Sequence, residues 1–306
     1  MKFKYLLAAS LAAVTLGASA QNINAPRETI EAFSKEWKGE RYSDGRPKVS
    51  DDLVKRLKDV SIEAAWGIMG RHGYRSQFET GFQRIHPDAV LAGRVVTAQY
   101  MPARPDMQVP IVAKGKEEKR SGAPNSWPID VLRENDVYVA DGYGKIIDGT
   151  LIGDNLGNSI FAKSKTGVVF DAGVRDLEGL DQIEGFAGFV RGFDPSAIKD
   201  MLMTGINYPI RIGRVTVLPG DLVLGKKEGV IFIPAHLAEE VITGSEWIAL
   251  QDDFGHQMLR EGRFTPGEID TKWNANIIAA FREWTKKNPG KVKMSAADLE
   301  KKIASL

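Results

Sequence analysis

The sequence has no cysteine among its 306 residues. This absence excludes disulfide bonds, thiolate metal sites, a cysteine nucleophile and lipid attachment through an N-terminal cysteine. An excess of charge of one sign is also missing, because 41 Lys and Arg residues oppose 40 Asp and Glu residues and leave a formal net charge of +1. This balance does not favour nucleic acid or an anionic membrane surface as a partner.

Several catalytic patterns are missing as well. The 4 histidines show no metal-ligand spacing, and there is no Gly-x-Ser-x-Gly nucleophile elbow. The glycine turn at residues 141–144 lacks the third glycine of the dinucleotide-binding fingerprint. His256 follows Asp252 and Asp253, and the sequence leaves open whether it is a ligand, a base or a surface residue. Serine hydrolysis and nucleotide binding are therefore not favoured.

The N-terminus has the three parts of a secretory signal. Lys2 and Lys4 form a basic start, residues 5–16 form an apolar run, and Ala18-Ser19-Ala20 is a cleavage site of the A-x-A type. The run is too short to anchor the chain in a bilayer, and no later segment has the apolar length of a membrane helix. We expect cleavage after Ala20 and export to the periplasm or beyond, without a membrane anchor. The alternative is a buried N-terminal helix.

Turn signals and composition divide the rest of the chain. We expect an arm over residues 21–48, a catalytic α/β domain over residues 49–244 and a C-terminal helical extension over residues 245–306. Within the domain, apolar patterns predict strands at residues 108–113 and 208–217 and an exposed loop at residues 114–125. They also predict one helix at residues 235–242, separate from another at residues 247–261.

Residues 137–180 indicate a βαβ unit at the centre of the domain. A strand at residues 137–140 leads through a glycine-rich loop to a helix at residues 155–165, and a second strand follows at residues 168–171. A right-handed crossover of this kind places the ends of both strands at one edge of a parallel sheet, where ligands usually bind.

Two short clusters follow those strand ends. The first is Gly153, Asp154, Asn155 and Leu156, and the second is Arg175 with Asp176. Asp154 or Asn155 is a plausible helix cap, so the amides of Asn155 and Leu156 point outward toward a small anion. The sequence therefore predicts an anion-binding turn, a guanidinium group and two carboxylates in one place. A helix cap with a surface Arg-Asp pair is the alternative interpretation.

The spacing of the two clusters resembles a known family. Twenty residues separate Asp154 from Arg175, and this G-D-x20-R-D pattern resembles the signature of proteins related to the regulator of ribonuclease activity A (RraA). That family includes 4-hydroxy-4-methyl-2-oxoglutarate and 4-carboxy-4-hydroxy-2-oxoadipate aldolases. The likeness also covers residues 93–97, 137–141, 168–176 and 215–221. It implies an RraA-like swivelling β/β/α domain around the central βαβ unit.

The resemblance implies a role for each residue of the site. Arg175 would pair with the carboxylate of a 2-oxo acid such as pyruvate, and the segment Gly153, Asp154, Asn155 and Leu156 would line the same site. Asp176 would hold Mg²⁺ or Mn²⁺, and Asp154 would act through metal-bound water. The implied assembly is a homotrimer or hexamer with sites at subunit interfaces. The implied activity is a metal-dependent aldolase or decarboxylase that passes through a pyruvate-like enolate.

The sequence departs from its relatives in two places. Leu224, Gly225, Lys226 and Lys227 stand where many relatives have an acidic Ala-Asp pair, and Ala172 stands where glycine is common. A noncatalytic binding or regulatory protein is the alternative function, because the founding member of the family inhibits a ribonuclease by binding it. The intact motif and the leader peptide favour the lyase.

Overall fold

The computed structural model describes residues 22–306, so the predicted signal peptide lies outside the described residues. The strands are β1 (Phe78–Glu79), β2 (Gln83–Ile85), β3 (Leu91–Pro102), β4 (Asp136–Thr150), β5 (Gly167–Val174), β6 (Ala187–Phe193), β7 (Met201–Ile206), β8 (Ile210–Ile212), β9 (Val215–Val217), β10 (Leu222–Lys226) and β11 (Gly229–Ile233). The α-helices are α1 (Arg27–Phe33), α2 (Asp51–Leu57), α3 (Ile62–Arg71), α4 (Pro105–Glu117), α5 (Trp127–Asp130), α6 (Asp154–Ser164), α7 (Leu177–Asp181), α8 (Ala238–Arg260), α9 (Pro266–Ile269), α10 (Ala275–Lys287) and α11 (Ala296–Ala304).

A sheet of nine strands forms the centre of the described chain. Its order is β1-β11-β10-β3-β4-β5-β6-β2, with β7 beside the second half of β3. The strands from β3 to β6 run parallel, and α6 joins β4 to β5, so the predicted βαβ unit is confirmed. β4 and β5 begin as continuous apolar runs because apolar clusters cover both faces of the sheet.

Helices α2, α3 and α8 pack against the antiparallel side of the sheet. Ser50 caps α2 by accepting the N–H of Leu53, and Ser61 caps α3 by accepting the N–H of Ala64. Apolar side chains of these helices meet β10 and β11 in a separate buried cluster. This packing fixes the antiparallel strands and leaves the ends of the parallel strands free to carry a site.

The strand predicted at residues 108–113 is wrong, because these residues belong to α4. Pro105 occupies the first turn of this helix, a position where its missing N–H costs nothing, and Arg104 precedes it in an extended conformation. Most of α4 is exposed, and 70% of Val109 is accessible to solvent. The loop predicted at residues 114–125 begins inside the same helix. A short apolar run does not by itself distinguish a strand from a helix.

The strand predicted at residues 208–217 is also wrong, because it is a hairpin of β8 and β9. Gly213 turns the chain with a φ of 54°, a conformation that side chains disfavour. By contrast, β4 is longer than predicted. It continues through residues 141–150, where Tyr143 and Gly144 both have positive φ, and its far end pairs with Gly173.

The C-terminal helices have an apolar cluster of their own. Phe254 of α8 packs against Phe281 and Trp284 of α10 with ring centroids 5.2 Å and 5.8 Å apart. The two helices predicted at residues 235–242 and 247–261 are one helix, α8, so the expected boundary at residue 244 lies inside it. Across residues 22–306, each helix is too short or too polar to cross a membrane.

Candidate functional site

The first part of the site is the turn from β4 into α6. Gly153 is the residue before the helix and carries no side chain that caps it. The Oδ1 atom of Asp154 accepts the N–H of Asn155 at 2.7 Å. Within the described residues, the N–H groups of Asp154 and Leu156 have no hydrogen-bond acceptor. Because these groups lie at the positive end of the helix, the turn is suited to bind an anion.

The second part of the site follows β5. The N–H of Arg175 donates to the carbonyl of Ile152 at 3.0 Å, which ties the end of β5 to the turn before α6. The Nε atom of Arg175 lies 3.6 Å from Oδ2 of Asp176, and both side chains are about two-fifths exposed, at 43% and 40%. The guanidinium group makes no other contact with a carboxylate of the described chain. It therefore remains available to a ligand.

Gly153 brings the two parts of the site together. A Cβ atom at this position would overlap Oδ2 of Asp176 and would lie 3.3 Å from Cγ of Arg175. Asp176 itself has a left-handed backbone, with φ at 55°, which Asp tolerates better than most residues. Local strain of this kind is common at binding and catalytic sites. The close approach explains why a glycine precedes Asp154.

A small cleft of about 90 Å³ lies between the two parts; we call it the acid cleft. Each residue of the motif except Asp176 lines it: Gly153, Asp154, Asn155, Leu156 and Arg175. Asp176 instead lines an adjoining cleft that also includes Arg175. The spaced motif thus converges on one place, as the sequence analysis expects, with Arg175 between two clefts.

Two walls of the acid cleft were not found by sequence reasoning. Asn125 forms one wall and donates from Nδ2 to the carbonyl of Leu151 at 2.8 Å. Ala197 and Ile198 form the other wall, and their loop is tied to β4 because Ser196 accepts the N–H of Asp148 at 2.6 Å. Asn125 lies 28 residues before Gly153 in the chain, and no local pattern marks either wall.

Asp194 is the third charged residue that lines the adjoining cleft, with Arg175 and Asp176. Its Oδ1 accepts the N–H of Ser196 at 2.9 Å. Hydrogen bonds from the hydroxyl and the N–H of Ser196 hold the pKa of Asp194 below its usual range. Asp194 is therefore a carboxylate at neutral pH.

The donors fit a loosely bound Mg²⁺ or Mn²⁺ better than an enclosed metal. Residues 22–306 contain no group of three or more His, Asp and Glu side chains that could hold a metal ion. Mg²⁺, however, is usually held by one or two carboxylates and keeps several waters. Asp176 offers an exposed carboxylate beside Gly153, where the missing side chain leaves room. Asp176 is thus the group that would hold such an ion.

Other features lie away from the motif. A larger cleft of about 420 Å³ lies beside Trp37, Tyr74 and His236 and shares no residue with the acid cleft. His256 is exposed on α8 and lies beside a cleft of about 360 Å³. Asp252 also lines this cleft, and burial raises the pKa of its carboxyl group.

Gly225 pairs with Leu91 at the start of β3, at the opposite end of the sheet from the site. Within one subunit, the departure at residues 224–227 therefore does not reach the acid cleft.

The family model described as RraA-like (Aldolase/RraA) matches residues 47–232, which is more than half of the chain. The chain belongs to the RraA-like family. A relative from Halalkalibacterium halodurans, provisionally named a 4-hydroxy-4-methyl-2-oxoglutarate aldolase, is 34% identical over 90 residues. That match covers 28% of this RraA-like chain and 42% of the relative, so the chain spans less than half of that relative's length.

Solved structures show the same fold. An uncharacterized protein from Pseudomonas syringae pv. tomato has a TM-score of 0.60 at 19% identity, over 72% of this chain and 93% of that one. RraAS2 of Streptomyces coelicolor is described as an unusual member of the RNase ES inhibitor RraA protein family. It has a TM-score of 0.58 at 23% identity, over 68% of this chain and 98% of that one. The RraA-like fold is thus confirmed, and the family contains proteins named for catalysis and for inhibition.

Proposed function

We propose that this protein is a divalent-metal-dependent lyase that cleaves or decarboxylates a 2-oxo acid. The observation that carries the proposal is the acid cleft, where unpaired amides of the first turn of α6 face the same small space as Arg175. A planar guanidinium group binds a carboxylate through two parallel hydrogen bonds. In the cleft, the guanidinium group of Arg175 can thus bind the carboxylate of a 2-oxo acid, and the backbone N–H groups can donate to its 2-oxo oxygen.

Each residue of the motif has a task in this proposal. Arg175 binds the carboxylate, and the N–H groups of Asp154 and Leu156 orient the substrate. The Oδ2 atom of Asp154 has no hydrogen-bond partner in the described chain, so it is available to accept or return a proton. Asp176 would hold Mg²⁺ or Mn²⁺, which as a Lewis acid stabilises negative charge on an enolate oxygen.

The test is pyruvate release by the purified mature protein. With Mg²⁺ present, we expect pyruvate from oxaloacetate or from a panel of 4-hydroxy-2-oxo acids, measured with a coupled lactate dehydrogenase assay. Asp176→Asn should abolish release because an amide is a poor ligand for Mg²⁺, although Asn retains the left-handed backbone. Arg175→Lys should raise KM because the bidentate fork is lost.

Glu178→Gln is the matched control, since Glu178 is an exposed carboxylate on α7 that lines neither cleft. It should release pyruvate at the wild-type rate. If no substrate in the panel yields pyruvate and a thermal-shift titration detects no bound Mg²⁺ or Mn²⁺, the lyase proposal is wrong. The noncatalytic binding function would then take its place.

We also propose that the mature protein is exported and forms a homotrimer or hexamer. The support for export is the signal pattern in residues 1–20, and the support for assembly is the resemblance to family members with sites at subunit interfaces. Light scattering of the mature chain measures its mass directly. A strictly monomeric species would contradict the assembly.

A further inference from the structure

Arg175 lies between two clefts of different size and chemistry. The acid cleft, at about 90 Å³, is far smaller than the roughly 300 Å³ of an ordinary ligand pocket. The second cleft, which we call the distal cleft, has a volume of about 240 Å³. It is lined by Arg175, Asp176, Leu177, Phe193, Asp194 and Pro195. A substrate whose oxo-acid end fills the acid cleft can extend past Arg175 into the distal cleft, because Arg175 lines both.

Much of the distal cleft is apolar. Leu177 is 38% exposed, Phe193 is half-buried and Pro195 is exposed, so their side chains are open to a ligand. Their burial by an apolar group would be favourable, because it removes apolar surface from water. This wall suits an alkyl group.

Three charged side chains line the distal cleft, and two of them already have a task in the proposed function. Arg175 pairs with the first carboxylate of the substrate, and Asp176 holds the metal. Asp194 remains, and its carboxylate is fixed by the N–H of Ser196 at 2.9 Å. The residues of the described chain that line the distal cleft therefore include no second cation for another carboxylate of the substrate, and Asp194 adds a negative charge to this lining.

On the basis of the proposed lyase function, we propose that the departing half of the substrate is uncharged and largely apolar. In this proposal Asp194 is the specificity-determining residue that rejects a second carboxylate. The preferred substrate is then a 4-hydroxy-2-oxo acid with an alkyl group on C4. Loss of the C4 hydroxyl proton breaks the C3–C4 bond and releases an aldehyde or ketone. The electron pair of that bond forms the enolate, which takes a proton at C3 to become pyruvate.

Two substrates that differ at one group provide the test. 4-Hydroxy-2-oxopentanoate has a methyl group on C4 and releases acetaldehyde, whereas 4-hydroxy-2-oxoglutarate has a carboxylate there and releases glyoxylate. We expect kcat/KM to be about tenfold higher for the pentanoate, which corresponds to roughly 1.4 kcal/mol. Pyruvate is quantified by chromatography for both, because lactate dehydrogenase would also reduce the glyoxylate.

Asp194→Asn isolates the charge, because its amide oxygen still accepts the N–H of Ser196. It should raise kcat/KM for the glutarate and leave the pentanoate unchanged, so that the ratio between them falls. Asp200→Asn is the matched control, since Asp200 is exposed near the end of the same loop and lines neither cleft. Its ratio should remain that of the wild type.

The outcomes separate this inference from the function on which it depends. Pyruvate release that favours the glutarate, or a ratio that Asp194→Asn does not change, overturns the inference and leaves the lyase intact. Absence of pyruvate from both substrates and from oxaloacetate overturns both. A lower ratio in Asp194→Asn alone supports the inference, because a purely structural role would affect the two substrates equally.

Discussion

The molecule uses Arg and Asp in two contrasting ways. In the arm, Nη2 of Arg46 lies 3.0 Å from Oδ2 of Asp136, and both side chains are fully buried. At the acid cleft, Nε of Arg175 lies 3.6 Å from Oδ2 of Asp176, and both side chains are about two-fifths exposed. The first pair joins segments 90 residues apart. The second joins neighbours in the chain.

The buried pair belongs to a larger network of charged side chains. Asp136 also accepts the N–H of Arg133 at 2.9 Å, and Arg46 pairs with Asp44 at 3.0 Å. The ring of Tyr42 lies beneath the guanidinium groups of Arg46 and Arg133. Charged groups with this many partners serve the fold, whereas an exposed pair with one long contact is free to exchange its partner for a ligand. The number of partners that a charged side chain has thus distinguishes a structural ion pair from one at a binding site, although both pairs consist of Arg and Asp.

The largest predicted effect tests the buried pair. Asp136→Ala should lower the free energy of unfolding by about 3–5 kcal/mol, because it leaves Arg46 charged and buried without its main partner. Urea denaturation measures this change. Asp176→Ala is the matched control and should lower the free energy of unfolding by only about 1 kcal/mol, the usual cost of placing Ala in a left-handed backbone conformation.

Asp136→Asn provides a milder version if the alanine variant does not fold. Asn keeps a hydrogen-bond acceptor for Arg46 but removes the negative charge. The free energy of unfolding should therefore fall by an amount between those of the control and the alanine variant. Equal losses for Asp136→Ala and Asp176→Ala would break the distinction between the two pairs.

Asp221 is an intermediate case, because the residue is only 5% exposed and its carboxyl group has no ion-pair partner in the described chain. Burial raises its pKa to about 7, although N–H groups of Leu218 and Ala235 partly oppose the rise. Between about pH 4 and pH 7 the folded protein therefore binds more protons at this site than the unfolded chain. Stability is present at low pH and is lost as pH rises through this window.

Asp221→Asn should remove that dependence, since an amide does not titrate. Relative to the variant, the wild type should lose up to roughly 1.4 kcal/mol of unfolding free energy per pH unit across the window. Urea denaturation at pH 5 and pH 7 measures the difference. Parallel pH profiles for the two proteins would mean that Asp221 is ionised in the folded protein.

The same contrast explains what the sequence predicts well. Arg175 and Asp176 belong to a spaced motif within one βαβ unit, so local patterns predict both the strands and the convergence of the motif. Arg46 and Asp136 meet only through tertiary folding, and no spacing in the chain connects them. Asn125 and Asp194 were missed at the site for the same reason, because each reaches it from outside the motif.

Local patterns also fail where exposure overrides them. The apolar run at residues 108–113 predicts a buried strand, yet Val109 projects from an exposed helix that starts at Pro105. The pattern at residues 208–217 predicts one strand, because the sequence alone does not show that Gly213 adopts a positive φ and turns the chain. The strands predicted at residues 137–140 and 168–171 are confirmed, because apolar clusters cover both faces of the sheet there and each of these segments is therefore almost entirely apolar.

Gly153 and Gly157 lie about one turn apart at the start of α6, but one contacts the candidate site and the other contacts the apolar core. A Cβ at Gly157 would overlap Cδ2 of Leu180 and lie 3.2 Å from Cδ1 of Ile183, both in the apolar core. A Cβ at Gly153 would meet the exposed carboxylate of Asp176, which can move. The two alanine substitutions should therefore have opposite consequences.

We expect Gly157→Ala to lower the free energy of unfolding by about 1–3 kcal/mol, because overpacking forces core side chains from their rotamers. Gly153→Ala should change it by about 0.5 kcal/mol or less. Its effect should appear instead as weaker Mg²⁺ binding and slower pyruvate release, because Asp176 is displaced from the turn. Gly153→Ala with full activity would mean that the close approach of Asp176 to the turn serves packing and not metal binding. The exposed pair would then belong to the scaffold, like Arg46 and Asp136.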